Sequence, residues 1–148
     1  VRAGRHAGSL ASPRTAREYG IEANGAGDEE GAHSLEMSSG TLPAADALGA
    51  LGTGLFVSNL HYLNFSDRPS CRITGMTRFA SFWVEDGRIV APLNVMRFDD
   101  SIYRLLGSQL EALTRETDWI LSSSTYGGRS LASTRVPGAL LGGMTYTL

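Results

Sequence analysis

Lysine is missing from this chain, and all thirteen of its basic residues are arginine. That choice of cation assigns no function by itself. The arginines are scattered, however, and the formal net charge is −2. A surface that binds nucleic acid meets phosphates with a basic stripe, and the absence of one argues against nucleic acid as a direct partner. The single cysteine, Cys71, rules out an internal disulfide and every multi-cysteine metal cluster. No apolar run approaches the ~20 residues of a membrane span, so no membrane association is expected. Nor does a basic segment followed by an apolar one open the chain, so nothing suggests export and the expected location is the cytoplasm. The chain starts Val1-Arg2-Ala3-Gly4 without an initiator methionine. The expectation is one domain over 1–148, the C-terminal portion of a longer protein truncated at its N-terminus. Its 148 residues suffice to bury ~68–70 % of the unfolded surface.

What is present centres on Gly54 to Leu93. This stretch predicts three strands, Leu55 to Phe65, Met76 to Glu85 and Arg88 to Leu93. Asp86-Gly87 between apolar runs tolerates the positive φ angles of a two-residue type I′ turn. The turn sets a register in which Glu85 faces Arg88, Val84 faces Ile89, Trp83 faces Val90 and Phe82 faces Ala91. Each pair is worth about 0.2–1 kcal/mol. Apolar residues on both faces place this hairpin mid-sheet, covered on both sides.

Elsewhere the signals are shorter. Arg5 to Leu10 is a weak strand candidate. Ser12 as N-cap, Pro13 at the first helical position and Gly20 after the last turn predict a short helix. Ile21 to Gly40 reads as a long polar loop with a brief strand at its end. Its Asp28, Glu29, Glu30 and His33 form a solvated surface more readily than a metal site. Thr41-Leu42-Pro43 opens a second helix, Ala44 to Leu51. Ser66 to Arg72 is a connecting loop in which Asp67 and Arg68 can pair and Arg72 can hold a carboxylate. Val95 to Phe98 continues extended. Asp99 or Asp100 then caps a helix from Ser101 to about Thr114, with Ile102, Leu105, Leu106, Leu110 and Leu113 on one stripe. Trp119 to Ser122 is a short strand and Ser122 to Ser133 a polar loop. Arg135 to Leu148 is a last strand, broken by Pro137 and Gly142-Gly143. The fold class is α+β, a predominantly antiparallel twisted β-sheet, barrel-like or sandwich-like, with two or three short helices.

Four segments carry a resemblance: GSLASPRTAREYG at Gly8 to Gly20, GTGLFVSNLHYLNFSDR at Gly52 to Arg68, RITGMTRFASFWVEDGRIVAPL at Arg72 to Leu93, and the closing RVPGALLGGMTYTL. In order and over nearly the whole chain, they resemble the C-terminal part of the TldD/PmbA family, metallopeptidase-related proteins also called modulators of DNA gyrase. The resemblance implies a peptidase assembly whose zinc sits on a helical HExxxH motif with a Cys near the C-terminus. His6, His33 and His61 stand far apart and none precedes a Glu, so this chain holds no such motif. The family's cysteine ligand would fall near Ser123 to Gly128, where Ser-Ser-Thr-Tyr-Gly-Gly offers none. The chain therefore resembles the non-zinc, PmbA or TldE-like branch. That likeness implies no cofactor in this chain, zinc in the full assembly or partner subunit, and a TldD-like partner in a hetero- or homodimer.

On that basis the sheet and loops would form one wall of a cavity for unfolded peptides, held as an added strand. The polar wall candidates are Asn59, His61, Tyr62, Asn64, Asp67, Arg68 and Arg72. A second reading is a structural dimerisation module without substrate contact. A third, remote one is an independent enzyme using Cys71 with His61.

Overall fold

The computed structural model describes residues 5–147. Among the described residues ten strands and two short α-helices follow one another, and the strands form three sheets. The chain divides into two compact units, residues up to Glu36 with Trp119–Arg135, and Met37–Asp118 with the remainder.

In the first unit, α1 (Pro13–Tyr19) has the ends its sequence prescribes. The Ser12 hydroxyl accepts from the Thr15 N–H, and Gly20 closes the helix in the left-handed conformation. The Glu30 carboxylate accepts the Ser12 N–H at 2.7 Å, tying the acidic loop to the helix start. The loop ends in β1 (Ser34–Glu36), which runs parallel to β9 (Ser133–Leu141). The strand expected over Arg5 to Leu10 is absent. Arg5 makes an isolated bridge, and residues 6–12 take no regular structure.

The second unit contains the other two sheets. A turn of 3-10 helix, Ala44–Asp46, leads into α2 (Ala47–Leu51), as expected for Ala44 to Leu51. The three expected central strands prove to be five. Leu55 to Phe65 breaks at Ser58-Asn59 into β2 (Gly54–Val57) and β3 (Leu60–Asp67). Met76 to Glu85 becomes β4 (Arg72–Thr77) and β5 (Ser81–Glu85), parted at Phe79, whose φ is +60°. β6 (Arg88–Pro92) completes a three-stranded antiparallel sheet, order β2-β5-β6. Extended runs continuous in pattern are thus cut so that each piece serves a different sheet.

The Asp86-Gly87 turn forms as its chemistry requires, with φ of +49° and +73°. The Gly87 N–H donates to Gly52 O at 2.7 Å, docking the turn on the end of α2. Glu85 faces Arg88 and Val84 faces Ile89. Beyond them the expected register fails, since Trp83 faces Ala91 and Phe82 faces Pro92. Val90 is the extra residue of a bulge, and it re-aims the rest of β6. The hairpin is also not mid-sheet: β6 is an edge, with Ile89 and Val90 exposed. Only β5 is central, and its Val84 is fully buried.

The four-stranded sheet has the order β10-β7-β4-β3, with β7 at Arg97–Ser101 and β10 at Tyr146–Thr147. All three pairings are antiparallel. The expected extension over Val95 to Phe98 thus begins at Arg97 and runs on through Ser101. Gly75 lies opposite Phe98, whose ring is fully buried. A Cβ on Gly75 would come within 2.9 Å of both His61 O and the Phe98 ring, so only glycine lets the three strands close up here.

The clearest correction concerns Ser101 to Thr114. Helical geometry lasts from Ile102 through a single π turn, Arg104–Ser108, and then gives way to β8 (Leu110–Leu121). The leucine stripe fits helical spacing, but the backbone is claimed from elsewhere. Gly40 and Leu42 donate to the carbonyls of Thr114 and Leu113, and Arg115 donates back to Leu42 O at 2.7 Å. β9 flanks β8 within its sheet. The short strand expected at Trp119 to Ser122 is the far end of β8. The expected last strand is β9, with a break at Gly142-Gly143 before β10. Pro137 falls beyond Arg135, where the pairing with β1 ends, so its missing N–H costs no bond to that neighbour.

Asp100 knits this unit. Its carboxylate accepts from Ser101 N (2.8 Å), Thr145 N (2.9 Å) and Arg104 Nη1 (2.7 Å), linking β7, the π turn and the approach to β10. Burial alone would push this carboxyl up. The N–H groups of Thr145 and Ser101, with the Arg104 cation, outweigh it and hold the pKa below the usual carboxylate range. No helix among the described residues is long and apolar enough to cross a membrane.

Two outcomes follow from this packing. Gly75→Ala should destabilise the protein by about 1–3 kcal/mol in denaturant unfolding, since ring and carbonyl must both move. Because its folded pKa is lowered, Asp100 contributes stability above its unfolded value near pH 4 that is lost as pH falls through the folded value. Asp100→Asn should therefore cost about 1–3 kcal/mol at neutral pH and flatten the acid limb of the stability–pH curve.

Candidate functional site

Strand β3 is the open edge of the four-stranded sheet, and from Tyr62 to Asp67 every residue is exposed. Tyr62, Leu63 and Phe65 are 53–68 % accessible, a high figure for aromatic and aliphatic side chains on a strand. The edge is irregular. Register shifts fall between His61 and Asn64 and between Phe65 and Asp67, and Tyr62 has a φ of +51°. A tyrosine in that region carries backbone strain, of about 1–2 kcal/mol, that the surrounding pairing must hold.

The seven sequence-derived wall candidates separate into two groups along this edge. Asn59, His61, Tyr62 and Asn64 lie at its beginning. Asn59 O accepts the Arg78 N–H at 3.0 Å, and His61 Nε2 accepts from the Arg78 guanidinium. The His61 and Tyr62 rings lie 4.3 Å apart, and Asn64 Nδ2 reaches across the bulge to Tyr62 O at 3.3 Å. Asp67, Arg68 and Arg72 lie at the far turn. Asp67 and Arg68, which can pair by their position in the turn, do not. Asp67 instead accepts from the backbone and hydroxyl of Ser70, while Arg68 lies 5.8 Å from the Phe65 ring centroid. Asp67 does stand opposite Arg72 in register. Arg72 is not in the loop but opens β4, where Asp99 binds its guanidinium. Asp99 thus takes up two guanidinium nitrogens, Nε with its carboxylate and Nη2 with its backbone carbonyl at 3.3 Å.

Sequence reasoning missed Arg78 and Asp99. Arg78 was hidden inside a strand read as continuous, and the positive φ at Phe79 that ends the strand leaves no mark in the residue pattern. Asp99 was assigned to a helix cap, whereas β7 brings it across from Thr74. Cys71 is half-buried at the turn, at the opposite end of the β3–β4 hairpin from His61, roughly 15 Å away by strand rise. That distance denies the thiol the imidazole as a base.

The acidic loop offers no alternative centre. The Thr15 hydroxyl and the Ser12 N–H lower the Glu30 pKa. Among the described residues no three His, Cys, Asp or Glu side chains lie close enough to hold a metal ion.

Residues 1–147 match the family described as PmbA/TldA metallopeptidase C-terminal domain. The chain belongs to the TldD/PmbA family. No curated protein matches. Among solved structures, a proposed modulator of a DNA gyrase from Thermotoga maritima superposes with a TM-score of 0.71 at 17 % identity, covering 93 % of this chain and 30 % of that one. TldE from Thermococcus kodakarensis gives a TM-score of 0.70 at 19 % identity with the same coverage. These two show that the fold is shared. This chain spans 30 % of the length of each. In TldD/PmbA terms, the edge strand β3 belongs to the C-terminal domain.

The strained bulge gives a direct check. Tyr62→Gly should leave the unfolding midpoint unchanged or raise stability by up to about 1 kcal/mol, because the left-handed angle no longer opposes a side chain. Leu63→Gly, next along the strand, should lower it by about 1 kcal/mol or more.

Proposed function

We propose that this chain is the C-terminal domain of a TldD/PmbA-type subunit acting in proteolysis of unfolded or modified peptides. In that role it forms a cavity wall and a dimer interface beside a TldD-like partner that holds the zinc. The observation that carries the reading is the open edge of β3, with exposed Tyr62, Leu63 and Phe65 beside half-buried His61. An extended peptide added to such an edge gains main-chain hydrogen bonds whatever its sequence, and the exposed apolar side chains supply adhesive area. The irregular register keeps the ladder short, so side-chain contacts carry much of the affinity. The absence of cysteine from Ser123 to Gly128 supports the non-zinc role. The scattered arginines favour peptide over nucleic acid as the substrate.

One observation favours a plain interaction module. The second exposed edge, β6, presents Ile89 and Val90 outward. Substitution separates the two. Phe65→Lys in the complete protein, assembled with its partner subunit, places a charge on the edge that disfavours strand addition. The cavity-wall reading expects peptide hydrolysis to fall about tenfold or more with the assembly intact by size-exclusion chromatography. Dissociation of the assembly, with unchanged activity in whatever dimer remains, would establish the interaction module instead.

A further inference from the structure

Arg78 sits in the β4–β5 connection with its guanidinium turned to the start of the edge strand. Three contacts hold it there. The Arg78 backbone N–H donates to Asn59 O at 3.0 Å, the guanidinium carbon lies 5.1 Å from the Phe79 ring centroid, and Nη1 meets His61 Nε2. A guanidinium has five donors and no acceptor, and it does not deprotonate in a protein. The shared hydrogen therefore belongs to Arg78, and His61 Nε2 must offer its lone pair. In a neutral imidazole the ring proton then sits on Nδ1, because the bond made by one nitrogen decides which tautomer the other carries. Free histidine prefers the opposite form, with hydrogen on Nε2. Among the described residues Nδ1 has no hydrogen-bond partner, although the ring is pinned by Arg78 on one side and by Tyr62 at 4.3 Å. The strand thus carries an oriented N–H group that no acceptor among the described residues takes up, on a half-buried residue of the open edge.

We propose that Arg78 is a positioning residue that locks His61 in its Nδ1–H tautomer, so that the edge strand presents a fixed donor to a carbonyl oxygen of bound peptide. The second half of this statement rests on the peptide-binding reading above, and the first half does not. Arg78 touches no substrate. It acts through His61 by fixing the ring's proton and its rotation, which removes the cost of selecting one tautomer when peptide arrives.

The test uses the complete protein with its partner, carrying nitrogen-15 in the histidine rings. His61 is identified by the signal lost in His61→Gln, and spectra are taken at alkaline pH where imidazole is neutral. The unsubstituted protein should show His61 with a protonated Nδ1 and an unprotonated Nε2. Arg78→Met keeps the stem but removes the donor, and should return the ring to the Nε2–H form. The same variant should raise KM for a fluorogenic unstructured peptide about three- to tenfold with little change in kcat, the size of one neutral hydrogen bond. Arg78→Lys, which still donates, should restore both readouts in part. An Nε2–H ring in the unsubstituted protein, or a ring unchanged by Arg78→Met, overturns the lock. A tautomer that switches while KM stays fixed overturns the donor role toward peptide. Absence of any peptide hydrolysis by the assembly overturns the functional reading, and the ring spectra still decide the lock.

Discussion

The Phe98 ring lies against the bare backbone of Gly75, and three strands of the larger sheet depend on that fit. The ring occupies the space that a side chain on β4 would claim, while His61 O and Leu63 of β3 close over the same spot. Interior and edge are therefore joined at one point. A fully buried aromatic holds β7 to β4, and the same missing Cβ lets β3 approach closely enough to pair. One of the two irregularities of β3 falls at this approach, with the bulge at Tyr62 immediately after His61.

Polar side chains are buried in each unit. Ser12 is buried with Ala11 in the first, and Thr77, Ser81, Asp100 and Thr114 are buried with Val84, Phe98 and Leu105 in the second. Four of these five polar side chains have partners. Ser12 caps α1, Thr77 accepts from Met96, Asp100 takes three donors, and Thr114 links Gly138 to Glu116. Such bonds are directional where apolar contacts are not, and they pin which segments meet. The geometry of the connections is thus held largely by hydrogen bonding. Glu116 shows the same economy from the surface: its carboxylate accepts the Ala44 N–H at 2.7 Å, and that bond lowers its pKa.

Features written in local chemistry were legible in the sequence. Ser12, Pro13 and Gly20 bound α1, and Asp86-Gly87 turns the β5–β6 hairpin, because a cap or a two-residue turn needs nothing beyond its own neighbours. Features decided by distant partners were not. Leu105, Leu106, Leu110 and Leu113 recur at helical spacing, but the hydrogen bonds of Leu113 and Thr114 go to a segment some seventy residues earlier. Val90 looks like any strand residue, and only the opposing strand reveals it as a bulge. The seven wall candidates illustrate the same divide. Their placement along one strand and the loop after it was visible, whereas the partners that occupy Asp67 and Arg72 arrive from Ser70 and from β7. The engagement of His61 by Arg78 required knowing that the strand stops at Thr77.

The two interruptions in β3 also bear on what the molecule must avoid. A long, flat, unpaired strand is a template on which identical chains can stack without end, and the apolar side chains here would reward it. Because the backbone of β3 falls out of step twice within eight residues, no visiting segment can match it for more than a few consecutive amides. An edge that is open yet out of step can receive a short guest while giving fibril growth no continuous seed.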